Sequence, residues 1–205
     1  MGLRLARLRA SRALALAALV CLVAGATLLT RLHGASGLPN RWTEARTGWL
    51  YRSAQMPARG VADVLREQHI DVVVDLTDEE VDAARNAEQA AAEKLGIRYL
   101  HLPVAQPKSV LIANLSRAVA EIDRAHRRGE RVLVHCAYGH RRSAAALALY
   151  ARLIEHEPPH IAYAEFARYA EADSNWSQGV LTFLEDNLDE IKAQVSADLA
   201  DPAPG

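Results

Sequence analysis

The chain has 205 residues, 50% of them hydrophobic, with 24 Lys+Arg against 25 Asp+Glu and a formal charge of −1. That length suits one compact domain of roughly 150 residues plus an appendage, and the apolar content excludes disorder as the main state. With only two cysteines and a pI of about 6.7, a disulfide scaffold and a general nucleic-acid binder are also excluded.

The charge is unevenly spread. Met1 to Arg31 holds five arginines (Arg4, Arg7, Arg9, Arg12 and Arg31) and no acid, leaving 19 basic against 25 acidic residues beyond it. Residues 1–12 have the basic character of a signal n-region. Residues 13–32 follow as a transmembrane anchor or signal sequence, because Ala13 to Thr30 is an unbroken run of 18 uncharged residues. The leading arginines favour a single-pass anchor with the following domain on the extracytoplasmic side. Cleavage at Ala24-Gly25-Ala26, giving a secreted or periplasmic protein, is the alternative. Cys21 lies within this run as an ordinary small apolar residue.

Residues 33–40 (HGASGLPN) read as a linker to a folded domain over 41–196, with 197–205 as a flexible tail. Within the domain, Gly48 to Arg52 reads as a short strand and Gly60 to His69 as a helix. Ile70 to Leu76 is a β-branched run of the kind found in buried parallel strands. Glu79 to Leu95 reads as an Ala-rich helix capped by Gly96. A strand over Ile97 to Leu102 leads into a proline-containing loop. Val110 to Arg128 is an amphipathic helix stopping at Gly129, Arg131 to His135 a central strand, and Ser143 to His156 a helix. Pro158 to Ala172 and Ser177 to Val195 give two further helices. Strands alternating with helices imply an α/β fold with a central, mainly parallel sheet flanked by helices.

The stretch Val134-His135-Cys136-Ala137-Tyr138-Gly139-His140-Arg141-Arg142-Ser143 carries the chemistry. It joins a strand to a helix, where an open α/β sheet places its ligand crevice. Five residues separate Cys136 from Arg142, so the loop can curl around a tetrahedral anion. Backbone N–H groups of Ala137 to Arg142 and the following helix N-terminus would bind that anion. Gly139 permits close approach or positive φ, and Arg142 offers a bidentate fork to phosphate oxygens. The same positive field favours the Cys136 thiolate, a nucleophile near neutral pH. Ser143 can donate its hydroxyl to the sulfur, and His135 fixes the loop rather than acting as a base. His140 and Arg141 either widen the positive mouth or are simply solvated, and Tyr138 belongs at the pocket rim.

These residues resemble the HC-x5-R-[ST] signature of the cysteine-dependent protein phosphatases, most closely the compact dual-specificity branch. Trp49 to Gln55 (WLYRSAQ) is similar to the LYRS-[AG]-Q segment that opens such domains, and Val72 to Thr77 to their strand ending in Asn/Asp-Leu. The resemblance covers about residues 40–190. It implies a phosphocysteine formed on Cys136, a phosphoryl held by Arg142, hydrolysis by water, and no metal or other cofactor. The substrate would be a phosphorylated protein, or alternatively a phospholipid or inositol phosphate.

One feature departs from the family. Its usual aspartic general acid should lie in Leu102 to Lys108, yet that loop has no acid, and Gln106 stands where the aspartate is expected. A neutral amide is no proton donor of that kind. Asp75, Asp78, Glu79 and Glu80 are possible substitutes, with Asp75 preferred. The missing acid also leaves open a catalytically weak phosphate-binding module. His126, His156 and His160 lack partnered ligands and read as surface histidines. Tyr163, Phe166, Tyr169 and Trp176 read as core packing.

Overall fold

The computed structural model describes residues 37–78, 82–105, 107–169 and 174–201. The expected anchor over 13–32, Gln106, Glu79 and Glu80 lie outside these residues. So do the side chains of Phe166, Tyr169 and Trp176. Among the described residues no helix is long and apolar enough to cross a membrane.

Five strands form one sheet in the order β1-β2-β5-β3-β4: β1 (Thr43–Arg46), β2 (Leu50–Ala54), β3 (Val72–Asp75), β4 (Arg98–His101) and β5 (Val132–Cys136). β1 pairs antiparallel with β2, and every other pairing is parallel. The expected strand over Gly48 to Arg52 is therefore shifted, since Gly48 at φ 82° belongs to the turn of a β1–β2 hairpin. β1 itself (TEAR) escaped the sequence reading because a short polar edge strand carries little hydrophobic alternation.

Seven helices are described: α1 (Val61–Glu67), α2 (Ala83–Leu95), α3 (Lys108–Arg127), α4 (Arg141–Leu153), α5 (Pro159–Tyr169), α6 (Ser174–Asp186) and α7 (Leu188–Ala200). The helix expected over Ser177 to Val195 is two helices that meet at Asn187. α7 continues to Ala200, through the first residues of the expected tail.

Both faces of the sheet are covered. Val72, Val74, Val132 and Val134 pack towards α3 and α4, against Ile112, Leu115, Val119, Ile122 and Leu149. Val73 and Leu133 point the other way, onto Val61, Val64 and Leu65 of α1. This alternation explains the unbroken apolar strands: in a sheet with two covered faces, neither set of side chains meets water. Each fully buried Val or Leu contributes roughly 1.5–3 kcal/mol relative to exposure. The result is a rigid platform whose C-terminal strand ends, Ala54, Asp75, His101 and Cys136, line up at one edge.

Candidate active site

Cys136 is the last residue of β5, and α4 begins five residues later at Arg141. The connecting loop must turn back on itself within a few residues. Gly139 makes this possible at φ 64°, where its α-carbon faces the end of β2 so closely that a Cβ would meet Ala54 N at 2.5 Å. The loop is tied to β2 from several sides. Gln55 N–H donates to the Cys136 carbonyl at 2.9 Å, and the buried Arg52 guanidinium donates to the Gly139 carbonyl and, at 3.2 Å, to Thr43 Oγ1.

The loop walls a cavity of about 350 Å³ lined by Asp78, Cys136, Ala137, Tyr138, His140, Arg141 and Arg142. Cys136 lies on the floor, 3% exposed, and Tyr138 stands at the rim, 75% exposed. Burial alone would push the Cys136 thiol up. The Ser143 backbone N–H and hydroxyl, with the backbone N–H groups of His140 and Gly139, outweigh that and bring it below its ordinary value. Ser143 Oγ is 3.6 Å from the sulfur. The thiolate is thus stabilised mainly by the loop's own dipoles and the helix start. The Arg142 guanidinium is turned to the carboxylate of Asp78, Nη2 to Oδ1 at 2.6 Å.

A sulfur nucleophile inside a cradle of N–H donors, with an arginine at the rim, is the arrangement for covalent capture of a phosphoryl group. The comparisons agree. The family model of the dual-specificity phosphatase catalytic domain matches residues 50–156. The chain belongs to this family. Among solved structures, TpbA of P. aeruginosa is similar over 73% of this chain and 88% of its own, with 21% identity and a TM-score of 0.56. PTPMT1 matches over 78% and 98%, at 20% identity and a TM-score of 0.56. Human DUSP28 matches over 76% and 99%, at 20% identity and a TM-score of 0.53. At such identities the likeness lies in the fold. No curated protein sequence matches the chain.

Beneath the loop lies a buried ionic cluster that includes Asp75, Glu88 and His135. Asp75 does not line the pocket; it is fully buried beside His135 at the strand ends. Its carboxylate accepts from the Thr77 backbone N–H at 2.8 Å and from the Tyr99 hydroxyl at 2.8 Å, and faces Arg85 Nε at 3.4 Å. Burial would raise its pKa, but the charge of His135 and the bonds from Thr77 and Tyr99 hold it below the usual carboxylate value. Asp75 is thus absent from the described residues that line the pocket, and its partners favour its ionised form. Asp75 is a brace.

His135 is the other half of the brace. Its Nε2 lies 3.0 Å from Glu88 Oε2 and 3.8 Å from Asp75 Oδ1. Burial disfavours its charge, but Glu88 and Asp75 overcome this and push the imidazole up to about 9. It therefore sits one residue before Cys136 as a buried cation paired with Glu88 and Asp75. Asp75, Glu88 and His135 each place one donor atom within 4.8 Å of the others, a spacing that suits a cation. Here the Asp75 carboxylate is bonded by Thr77 and Tyr99 and faces Arg85, and His135 Nε2 pairs with Glu88 Oε2, while His135 Nδ1 and Glu88 Oε1 are buried with no hydrogen-bond partner among the described residues.

The pairing has a testable sign. His135 is raised in the folded chain, so its contribution to stability is complete below about pH 6.5, its unfolded value, and is lost as pH rises through about 9. The Cys136 thiol acts in the opposite sense, so the measurement belongs in a Cys136→Ser background. There the melting temperature should fall between pH 6.5 and 9, and a His135→Gln exchange should remove that slope. A flat profile in the His135-containing chain contradicts the pairing.

Sequence reasoning missed Arg52, Arg85 and Glu88. Arg85 donates to Thr77 Oγ1 at 2.7 Å and to the Asp78 carbonyl, so it shapes the turn that carries Asp78. Its helix is N-capped by Asp82, which accepts from the Arg85 N–H at 2.7 Å. The only signal for Arg52 was its place in the LYRS segment. His126, His156 and His160 are exposed, as expected, and Tyr163 packs partly against the core.

Proposed function

We propose that the chain hydrolyses phosphate monoesters in protein, at phosphotyrosine and phosphoserine or phosphothreonine, through a phosphocysteine. The observation that carries this reading is the Cys136 sulfur on the pocket floor, held towards its thiolate by the loop N–H groups and Ser143. In the first step the thiolate attacks phosphorus as the P–O bond to the leaving group breaks. Arg142 turns from Asp78 to grip two phosphoryl oxygens. Water then attacks phosphorus, the P–S bond breaks, and Ser143 donates to the departing sulfur.

The family fold accommodates more than one phosphate ester: one TpbA structure holds phosphotyrosine and one PTPMT1 structure holds PI(5)P. A second reading, an inositol phospholipid phosphatase, is favoured by an apolar groove of about 370 Å³ that adjoins the pocket through Arg141 and Arg142. Val104, Leu111, Ala145 and Phe183 line it. Phosphate release from phosphotyrosine and phosphoserine peptides, set beside release from vesicles containing an inositol phospholipid, decides between the two. The protein reading predicts faster turnover of the peptides; turnover confined to vesicles overturns it in favour of the lipid.

The proposal includes location: residues 13–32 anchor the chain, with the domain on the extracytoplasmic side. Four arginines ahead of an 18-residue uncharged run support this. A reporter fused after Gly205 that is active only outside the cytoplasm is the expected result; activity only in the cytoplasm contradicts it.

A further inference from the structure

We propose that Asp78 is the general acid of this phosphatase, in place of the aspartate missing from the loop after β4. The inference rests on the phosphatase reading and deepens it. A cysteine phosphatase must supply a proton to the leaving oxygen, most of all when that oxygen belongs to a poor leaving group such as an alkyl alcohol. The described residues that line the pocket include one carboxylate, Asp78.

Its depth in the pocket suits the role. Cys136 is on the floor, whereas the Asp78 side chain stands at the mouth, 56% exposed. Attack in line from the floor sends the leaving oxygen out towards the mouth. The carboxylate is also close to where the phosphoryl group must sit. It lies 2.6 Å from a guanidinium nitrogen of Arg142, the group that would hold the phosphoryl oxygens. When a substrate phosphate takes the Arg142 fork, Asp78 is displaced by one hydrogen-bond partner and stays beside the ester.

The turn that presents Asp78 is braced. Thr77 N–H is fixed on Asp75, and Arg85 holds both the Thr77 hydroxyl and the Asp78 carbonyl. The Asp75 cluster thus supports the acid's backbone while taking no part in proton transfer. This also explains why α2, which carries Arg85, matters to the active edge.

The proton balance is complete. In the first step protonated Asp78 gives its proton to the leaving oxygen as the P–O bond breaks and the S–P bond forms, releasing the alcohol. In the second step the Asp78 carboxylate takes a proton from the attacking water as the O–P bond forms and the S–P bond breaks. Inorganic phosphate, the Cys136 thiolate and protonated Asp78 are then restored.

The test compares esters that differ only in leaving group, using the full chain. Asp78→Asn should lower kcat on an alkyl phosphate by about 10²–10⁴-fold, the usual worth of general acid catalysis. On 4-nitrophenyl phosphate, whose leaving group departs readily unprotonated, the loss should be under about tenfold by the same argument. Asp78→Glu should restore part of the alkyl rate. Equal losses on both esters would make Asp78 a mere support for Arg142 and overturn the proposal. A gain in kcat/KM on both would make it a phosphate competitor and overturn it as well. The two levels of failure separate cleanly, because a wild-type chain inert on every ester removes the phosphatase reading itself.

Discussion

Cys136→Ser should reduce phosphate release from an aryl phosphate by roughly 10⁴-fold or more while leaving the fold intact. The serine hydroxyl is almost never ionised near neutral pH, and the loop dipoles that stabilise a thiolate cannot close so large a gap. The substitution nearly preserves volume, and the sulfur's contact at 3.6 Å is with another hydroxyl, Ser143. The melting temperature should therefore shift little, and inorganic phosphate should still bind, since the N–H cradle and Arg142 remain. Full activity in the serine variant would show that Cys136 is a buried structural cysteine. Loss of both activity and folding would leave the nucleophile unproven, so phosphate binding to the folded variant is the necessary companion measurement.

Gly139→Ala should have the next largest effect. A methyl group at this position meets backbone atoms on three counts: Ala54 N at 2.5 Å, Ser53 C at 2.6 Å and Ser53 O at 2.7 Å. None is the end of a flexible side chain, so the loop or β2 must move. The residue is also at φ 64°, which costs an L-amino acid roughly 1–2 kcal/mol. Overpacking against fixed backbone adds about 1–3 kcal/mol. The loop relieves both by lifting from β2, which weakens the Arg52 bond to the Gly139 carbonyl and moves N–H donors away from the phosphoryl site. A displacement near 1 Å costs about 10²-fold in rate. The alanine variant should thus lose about 10²-fold in kcat/KM and show a lower melting temperature. An alanine variant with wild-type kinetics would mean that the loop does not close against β2.

How much of this was legible in the sequence depends on distance along the chain. The nucleophilic loop was readable because its parts lie within eight residues, between a β-branched strand and an Ala-rich helix. The strand Val72–Asp75 announced itself by composition, since both of its faces are buried. Other features were not readable because they are made by residues far apart. Asp75 stood at the end of a parallel strand and so on the active edge, which was right. Its orientation depended on Arg85, Tyr99 and His135, which converge only in the folded chain and draw the carboxylate inwards.

Arg85 and Glu88 are charged residues of an Ala-rich helix, and a single sequence offers no sign that they are buried. Asp78 was one of four acids offered in place of the missing aspartate, with Asp75 preferred to it. Its contact with Arg142, 64 residues away, separates it from Asp75. The missed edge strand Thr43–Arg46 has the same origin, because its partner rather than its pattern makes it a strand.

The central claim is that Cys136 carries the phosphoryl group between the two chemical steps. Rapid acid quench of the full chain during turnover of an aryl phosphate, followed by mass analysis of the peptide containing Cys136, tests it most directly. The account predicts that this peptide gains one phosphoryl group on sulfur, that the adduct disappears as substrate is exhausted, and that Cys136→Ser never forms it. Sustained phosphate release with no adduct at Cys136, or with the adduct on another residue, would contradict it.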